Sequence, residues 1–304
     1  MITKYEYMDL TWIDIESPKQ DEIRKLMEEY LIHPFVAEEL LLPTVKPRVE
    51  LYDDYIYLIL HFPVTKHSHS KSVMQEIDFI IGKKFIITTR YDAIDPVHNF
   101  SKTFEVNSVL EKGEMGGHAG FIFYHMINKI YKFTSDEIEY TSSKLKKIED
   151  DIFKGMEKEM VKEISETGRI LLDFKQIMTP HSEILKSFEE FALNFFGKNF
   201  AYSLKSIISE QYKIIKNIEK NKEMLNELRE TNNSLLSTKQ NEIMKVLTIV
   251  SFIAYPLTIL AALFQMNTKY TPIVGMPNDF WIVTGTMFIV AIIFYLYFKS
   301  KKWL

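Results

Sequence analysis

Residues 241–267, NEIMKVLTIVSFIAYPLTILAALFQMN, decide how this chain is read. Past Lys245 the stretch carries no charge, and its apolar run from Val246 to Phe264 is about 19 residues, or about 28 Å at ~1.5 Å per residue. A second uncharged run, Phe280 to Phe298, follows after a short loop and ends in Lys299-Ser300-Lys301-Lys302-Trp303-Leu304. Each run is long enough to cross a hydrocarbon core. The alternative is a helical hairpin buried in a soluble protein. Lys239 and Lys245 precede the first run, and Lys299, Lys301 and Lys302 follow the second. The loop between them holds only Lys269 and Asp279 as charges. The positive-inside rule then places both termini in the cytoplasm and the loop outside.

The 304-residue chain has a net charge of −4 with both signs interspersed, so no electrostatic footprint for nucleic acid is present. Cysteine is absent, which excludes a disulfide framework and thiolate metal sites. MITKYEYMDLTW has no apolar h-region, so no cleavable secretory signal is expected. No phosphate-binding G-x-x-x-x-G-K-[ST] loop and no nucleophile–base pattern occurs, and an enzyme is not expected.

Outward from the membrane runs, the spacing changes twice. Residues 1–115 predict an α+β sheet domain. Met8 to Ile15 reads as a strand, and Ser17-Pro18 as the cap and first turn of a helix reaching Tyr30. A short helix spans Val36 to Leu41. Four strand-like runs follow: Arg48 to Tyr52, Tyr55 to Phe62, Val73 to Ile81 and Lys84 to Thr89, with turns at Asp53-Asp54 and Gly82-Lys83. They predict an antiparallel meander, with helix resuming near Pro96. Residues 116–244 predict a long-helix stalk, with apolar residues at three and four spacing, punctuated at Gly155, Pro180 and Gly197. From Asn199 no Gly or Pro occurs before Pro256, so the last helix is expected to enter the membrane unbroken. The transmembrane part is 245–304: a first span at about 245–264, an outer loop at 265–279 and a second span at about 280–298. The charges between Asp136 and Glu190, Glu149-Asp150-Asp151 and Glu163 among them, read either as a solvated face or as an acidic surface that concentrates cations.

Asn241, Met244, Leu247 and Val250 or Ser251 share one helical stripe, which Tyr255, Thr258 and Ala262 continue across a kink at Pro256. Several copies around an axis would place polar rings at both ends of an apolar waist. In this order of parts, and in NEIMKVLT, Pro-Leu-Thr, Met266-Asn267 and the terminal KKWL, the chain resembles the CorA family of divalent-cation channels. The resemblance implies a homopentamer in the plasma (inner) membrane. The first membrane helix would line its pore and the second would ring it outside. Mg²⁺ would be the transported ion, no resident cofactor is implied, and membrane lipids and divalent cations are the partners. Cobalt, nickel and zinc remain alternative substrates, and a non-conducting sensor is a third reading.

By the same resemblance Asn267 is the selectivity ring, holding a hydrated ion in its outer sphere through amide oxygens. Mg²⁺ dehydrates reluctantly, so an amide ring can accept from its waters without stripping them. Met266 matches the family's Gly-Met-Asn signature, and Gln265 replaces its glycine. Either the helix extends past Gln265, or a second amide ring forms there. Asn241 matches an inner polar ring, Met244 and Leu247 a hydrophobic gate, and Thr258 a hydroxyl ring. Tyr255 stands where methionine lines the gate in well-known members. Lys299, Lys301 and Lys302 match a basic collar, and they also serve as a lipid-facing anchor. The family's regulatory acids are not matched. Pro63 to Lys71 holds no acid, and the stalk position is Ser206, with Glu210 nearby and Glu230 further down. His67 and His69 read as a solvated loop or as soft-metal ligands.

Overall fold

The computed structural model describes residues 2–65, 72–92, 95–110, 116–266, 273–301 and 303. The chain divides into two compact units, Met1–Arg229 and Glu230–Leu304. In the first, β1 (Ile2–Tyr7), β2 (Leu10–Glu16), β3 (Arg48–Leu51), β4 (Tyr55–Thr65), β5 (Ser72–Gly82) and β6 (Phe85–Arg90) form one sheet in the order β1-β2-β6-β5-β4-β3. The meander β3 to β6 is antiparallel throughout. The β1–β2 hairpin joins its edge through a parallel β2–β6 pair. That makes the sheet mixed, a pairing between distant segments that local spacing does not encode.

Both faces of the sheet are covered, which explains why β4 and β5 read as nearly continuous apolar runs. Ile13, Ile15, Tyr57, Ile59, Ile80 and Ile87 point to one face. They pack under α1 (Gln20–Glu29) and α2 (Pro34–Glu39) through Ile23, Leu26, Val36 and Leu40. Trp12, Leu58, Leu60, Phe79, Ile81 and Ile86 point the other way, into the core shared with α3 (Asp95–Leu110), α4 (Gly120–Phe153), α5 (Glu157–Met178) and α6 (His181–Phe196).

A polar lock fastens the parallel pair. Arg90 Nη2 donates to Asp14 Oδ2 at 3.0 Å and to Glu16 Oε2 at 2.9 Å. Thr88 Oγ1 donates to Asp14 Oδ1 at 2.8 Å and accepts from Trp12 Nε1 at 2.9 Å. Asp14 and Arg90 are both buried.

Two local expectations are corrected. The expected strand from Met8 starts at Leu10, because Met8 turns the β1–β2 hairpin with φ +52°. The first helix is not capped at Ser17. Ser17 has φ +51° and its N–H donates to the Arg90 carbonyl at 2.8 Å, prolonging the β2–β6 pairing. The helix starts after Lys19, whose N–H donates to Glu22 Oε2 at 3.1 Å, so the acid in the third helical position supplies the cap.

The helical punctuation is as expected. Gly155 and Gly197 take φ of +92° and +91°, and α6 begins directly after Pro180. After a single 3₁₀ turn (Lys198–Phe200), α7 runs from Ala201 to Gln265, 65 residues with Pro256 inside it. Within the first unit its buried stripe is Leu204, Ile207, Gln211, Ile214, Ile218, Asn221, Leu225 and Leu228, spaced alternately three and four apart as in coiled coils. Two buried amides interrupt the apolar seam. Gln211 Nε2 donates to the Met178 carbonyl at 3.2 Å, and Asn221 Nδ2 to the Ile138 carbonyl at 3.1 Å. Gly168 on α5 permits close approach, since a Cβ there would lie 3.0 Å from Leu225 Cδ2.

The second unit holds the remainder of α7 and α8 (Asp279–Ser300). Trp281, Phe288, Ile289, Ile292 and Ile293 are exposed on α8. So uncovered an apolar surface does not fit the core of a soluble protein, and it rules against the buried-hairpin alternative.

Candidate functional site

The covered side of the membrane part of α7 is narrow. Ile249 is 2% exposed, and Ile253, Pro256, Leu257, Leu260 and Phe264 are half-buried. On α8, the covered residues Val283, Met287, Val290, Ala291, Phe294 and Phe298 recur at helical spacing, and Phe298 is 5% exposed. Its ring lies 6.1 Å from that of Phe252 and stacks on Trp303 at 5.9 Å.

Asn241, Met244, Leu247, Ser251, Tyr255, Thr258, Ala262 and Gln265 are all exposed. At about 100° per residue, the centre of this stripe lies roughly 170° round the helix from the covered residues. The expected conduction stripe is therefore the face of α7 turned away from α8. Tyr255, which is 70% exposed, lies on that face. From 237 to 247 every side chain of α7 is exposed, the apolar Ile243, Met244, Val246 and Leu247 included. This helix segment leaves four large apolar side chains uncovered.

Three hydroxyls here are bonded back to the helix. Thr248, Ser251 and Thr258 donate to the carbonyls of Met244, Leu247 and Ala254 at 2.7, 2.9 and 2.9 Å. Their oxygens thus offer lone pairs outward, the polarity a hydrated cation requires. Pro256 supplies no N–H, which frees the Phe252 carbonyl from its helical partner.

Gln265 is the last residue of α7, and Met266 N–H turns back to the Leu263 carbonyl at 3.3 Å. Asn267 and Lys302 lie outside the described residues, as do His67 and His69. Lys299 and Lys301 are exposed at the end of α8, with Lys299 Nζ 5.9 Å from the Tyr295 ring. In the stalk, Glu210 pairs with Lys213 at 2.6 Å. Among the described residues no three His, Asp or Glu side chains are grouped to hold a metal.

Sequence reasoning missed a buried polar cluster in the sheet. His61 on β4 and Glu76 and Asp78 on β5 share the face under α2. Alternation within the two strands was the available signal, since all three fall in register with Tyr57, Ile59 and Ile80.

The family profile described as "CorA-like Mg2+ transporter protein" matches residues 8–301. The cobalt/magnesium transport protein CorA of Thermotoga maritima is 26% identical over 97% of this chain and 83% of its own length. That of Methanocaldococcus jannaschii is 25% identical over 99% of this chain and 93% of its own. The solved structure of the M. jannaschii CorA magnesium transporter superposes with a TM-score of 0.85 at 23% identity, covering 99% of this chain and 93% of that one. With its sheet domain, long helical stalk and two apolar C-terminal helices, this chain belongs to the CorA family, and it is a membrane-spanning divalent-cation transporter rather than an enzyme.

Proposed function

We propose that copies of this chain assemble as a homopentamer in the plasma (inner) membrane and conduct hydrated Mg²⁺ passively, with both termini cytoplasmic. The observation that supports it is the division of α7 into two opposite faces. One is covered on the side that meets α8, and the other carries Asn241, Met244, Leu247, Tyr255 and Thr258 uncovered. Copies arranged with α8 outward would bring these stripes together about an axis. In this reading residues 1–115 form the cytoplasmic sheet domain, 116–244 the stalk and 245–304 the membrane part.

Along the axis, Asn241 forms the inner polar ring, and Met244 and Leu247 form an apolar gate that stops ions when it empties of water. Tyr255 flanks the waist and Thr258 presents hydroxyl oxygens. Asn267, with Met266 and Gln265, forms the outer mouth, where amide oxygens accept from the ion's water shell. A carboxylate ring there would hold the ion harder and slow its release. Lys299, Lys301 and Lys302 collar the inner end and meet anionic lipid. Inward movement of a divalent ion gains about 4.6 kcal/mol per 100 mV, enough for uptake without ATP.

The test is Mg²⁺ entry into dye-loaded liposomes. Wild type is expected to conduct, and Asn267→Ala to lose at least about nine-tenths of the flux, worth ~1.4 kcal/mol or more in the barrier. Flux that survives unchanged in the variant would remove Asn267 from the filter. A wild-type protein that is inserted and silent would overturn the magnesium reading. Gln265 favours one second reading, transport of Co²⁺, Ni²⁺ or Zn²⁺, because a flexible amide replaces the signature glycine. The two relatives above carry cobalt beside magnesium in their names. Transition-metal flux that excess Mg²⁺ fails to inhibit would select it.

A further inference from the structure

The sheet face beneath α2 carries two buried acids, Glu76 and Asp78, and among the described residues His61 is the base in contact with them. His61 Nε2 lies 2.9 Å from the Thr44 carbonyl oxygen and 3.1 Å from Glu76 Oε2. Both neighbours are acceptors, so Nε2 carries the hydrogen. Glu76 Oε2 also accepts the Thr44 N–H at 2.7 Å, and Oε1 accepts the Thr44 hydroxyl at 3.2 Å. Two places along β5, Asp78 is 1% exposed, and its Oδ2 accepts from Tyr91 at 3.0 Å. Asp78 Oδ1 is buried without a partner. A cavity of about 190 Å³, lined by Thr44, His61, Glu76, Tyr91 and Asp92, opens beside the cluster and gives it a route to solvent.

The surrounding charges leave this imbalance in place. From α2 comes Glu39, whose carboxylate pairs with Arg48, and Arg48 is also shared with Glu50 on β3. Tyr57 on β4 and Asp92 after β6 add no positive charge. Behind the sheet, His181 Nε2 donates to the His61 carbonyl at 2.7 Å and Nδ1 accepts from Tyr131 at 2.8 Å. Burial pushes His181 down to about 4, so it stays neutral.

We infer that His61, Glu76 and Asp78 form a single proton-holding site, through which pH sets how tightly the segment after α2 is held to the sheet. A proton on the acid pair converts two neighbouring carboxylates into donor and acceptor, and it lowers a buried negative charge that His61 offsets only in part. The directions agree. Burial, then the Glu76 charge, raises Asp78 well above the carboxylate range. Burial opposes a charge on His61, but Glu76 and the Thr44 carbonyl outweigh it and leave His61 above its ordinary 6.5. The folded site therefore binds more protons than the unfolded chain. The stability it confers is full below the unfolded values and is lost as pH rises through the raised ones. For His61 that loss falls above about pH 6.5.

The experiment uses the purified full-length protein in detergent between pH 6 and 8.5. Its melting temperature is expected to fall by about 5 °C across that range. Deuterium exchange at residues 43–46, corrected for intrinsic rates, is expected to rise about tenfold per proton released per pH unit. Asp78→Asn should flatten both trends and be the more stable protein at pH 8.5. An infrared band of a protonated carboxylic acid in wild type at pH 7, titrating away in alkali, gives a reading independent of the variant's folding. Absence of that band, or an unchanged pH trend in folded Asp78→Asn, overturns the proposal.

Discussion

Leu247→Asn should leave the transporter leaky. In the proposed assembly Leu247 and Met244 form the apolar constriction, and an apolar ring blocks ions by shedding water rather than by contact. Asparagine is close to leucine in size, so the opening stays similar while its wall becomes wettable. Keeping water in the constriction removes the dewetting barrier, and resting Mg²⁺ flux is expected to rise about 10- to 100-fold, equivalent to ~1.4–2.8 kcal/mol. Val246→Asn is the control. It lies one residue away and about 100° round the helix, off the stripe. Liposome flux measured on both variants separates the two positions. Equal leaks, or none in Leu247→Asn, would mean that the stripe does not line the path.

The largest expected stability effect belongs to Asp14. Asp14→Ala removes the carboxylate that binds Arg90 and accepts from Thr88. Arg90 is left buried with Glu16, which is itself partly solvated. Breaking a buried pair in this way costs about 3–5 kcal/mol, because a charge remains behind without its partner. At roughly 2–4 °C per kcal/mol, the melting temperature of the purified protein should drop by about 10 °C. Asp14→Ala combined with Arg90→Met should recover part of the loss, since removing both charges removes the uncompensated one. A single variant within ~1 kcal/mol of wild type would show that the lock contributes little.

These two sites differ in how visible they were. The membrane stripe could be read directly, because helical spacing alone sets which residues share a face. Its relation to α8 could not, since the two spans are apolar all round and neither marks a packing side. The meander from β3 to β6 was legible through its apolar runs and turn residues. β1 was missed although Lys4 and Glu6 alternate with Tyr5 and Tyr7 in the two-residue period of a half-buried edge strand, because its six residues carry little apolar content. The Asp14–Arg90 lock needed the parallel β2–β6 pairing, which joins residues 76 apart in sequence. The cap of α1 was misplaced for a related reason. Ser17-Pro18 carries the usual helix-start signature, yet the backbone of Ser17 is committed to β6. Asn267 owes its place to the family resemblance alone.

The amides in the seam of α7 have a mechanical consequence. A coiled-coil interface of leucines and isoleucines alone tolerates sliding by one heptad, since every knob finds an equivalent hole. Here a seven-residue slip, about 10 Å, would carry Gln211 and Asn221 away from the carbonyls of Met178 and Ile138. Each stranded amide would cost about 1–3 kcal/mol. Between Leu204 and Leu228 the helix is therefore keyed like a shaft in a collar. Against α4 and α5 it resists being drawn along its own axis.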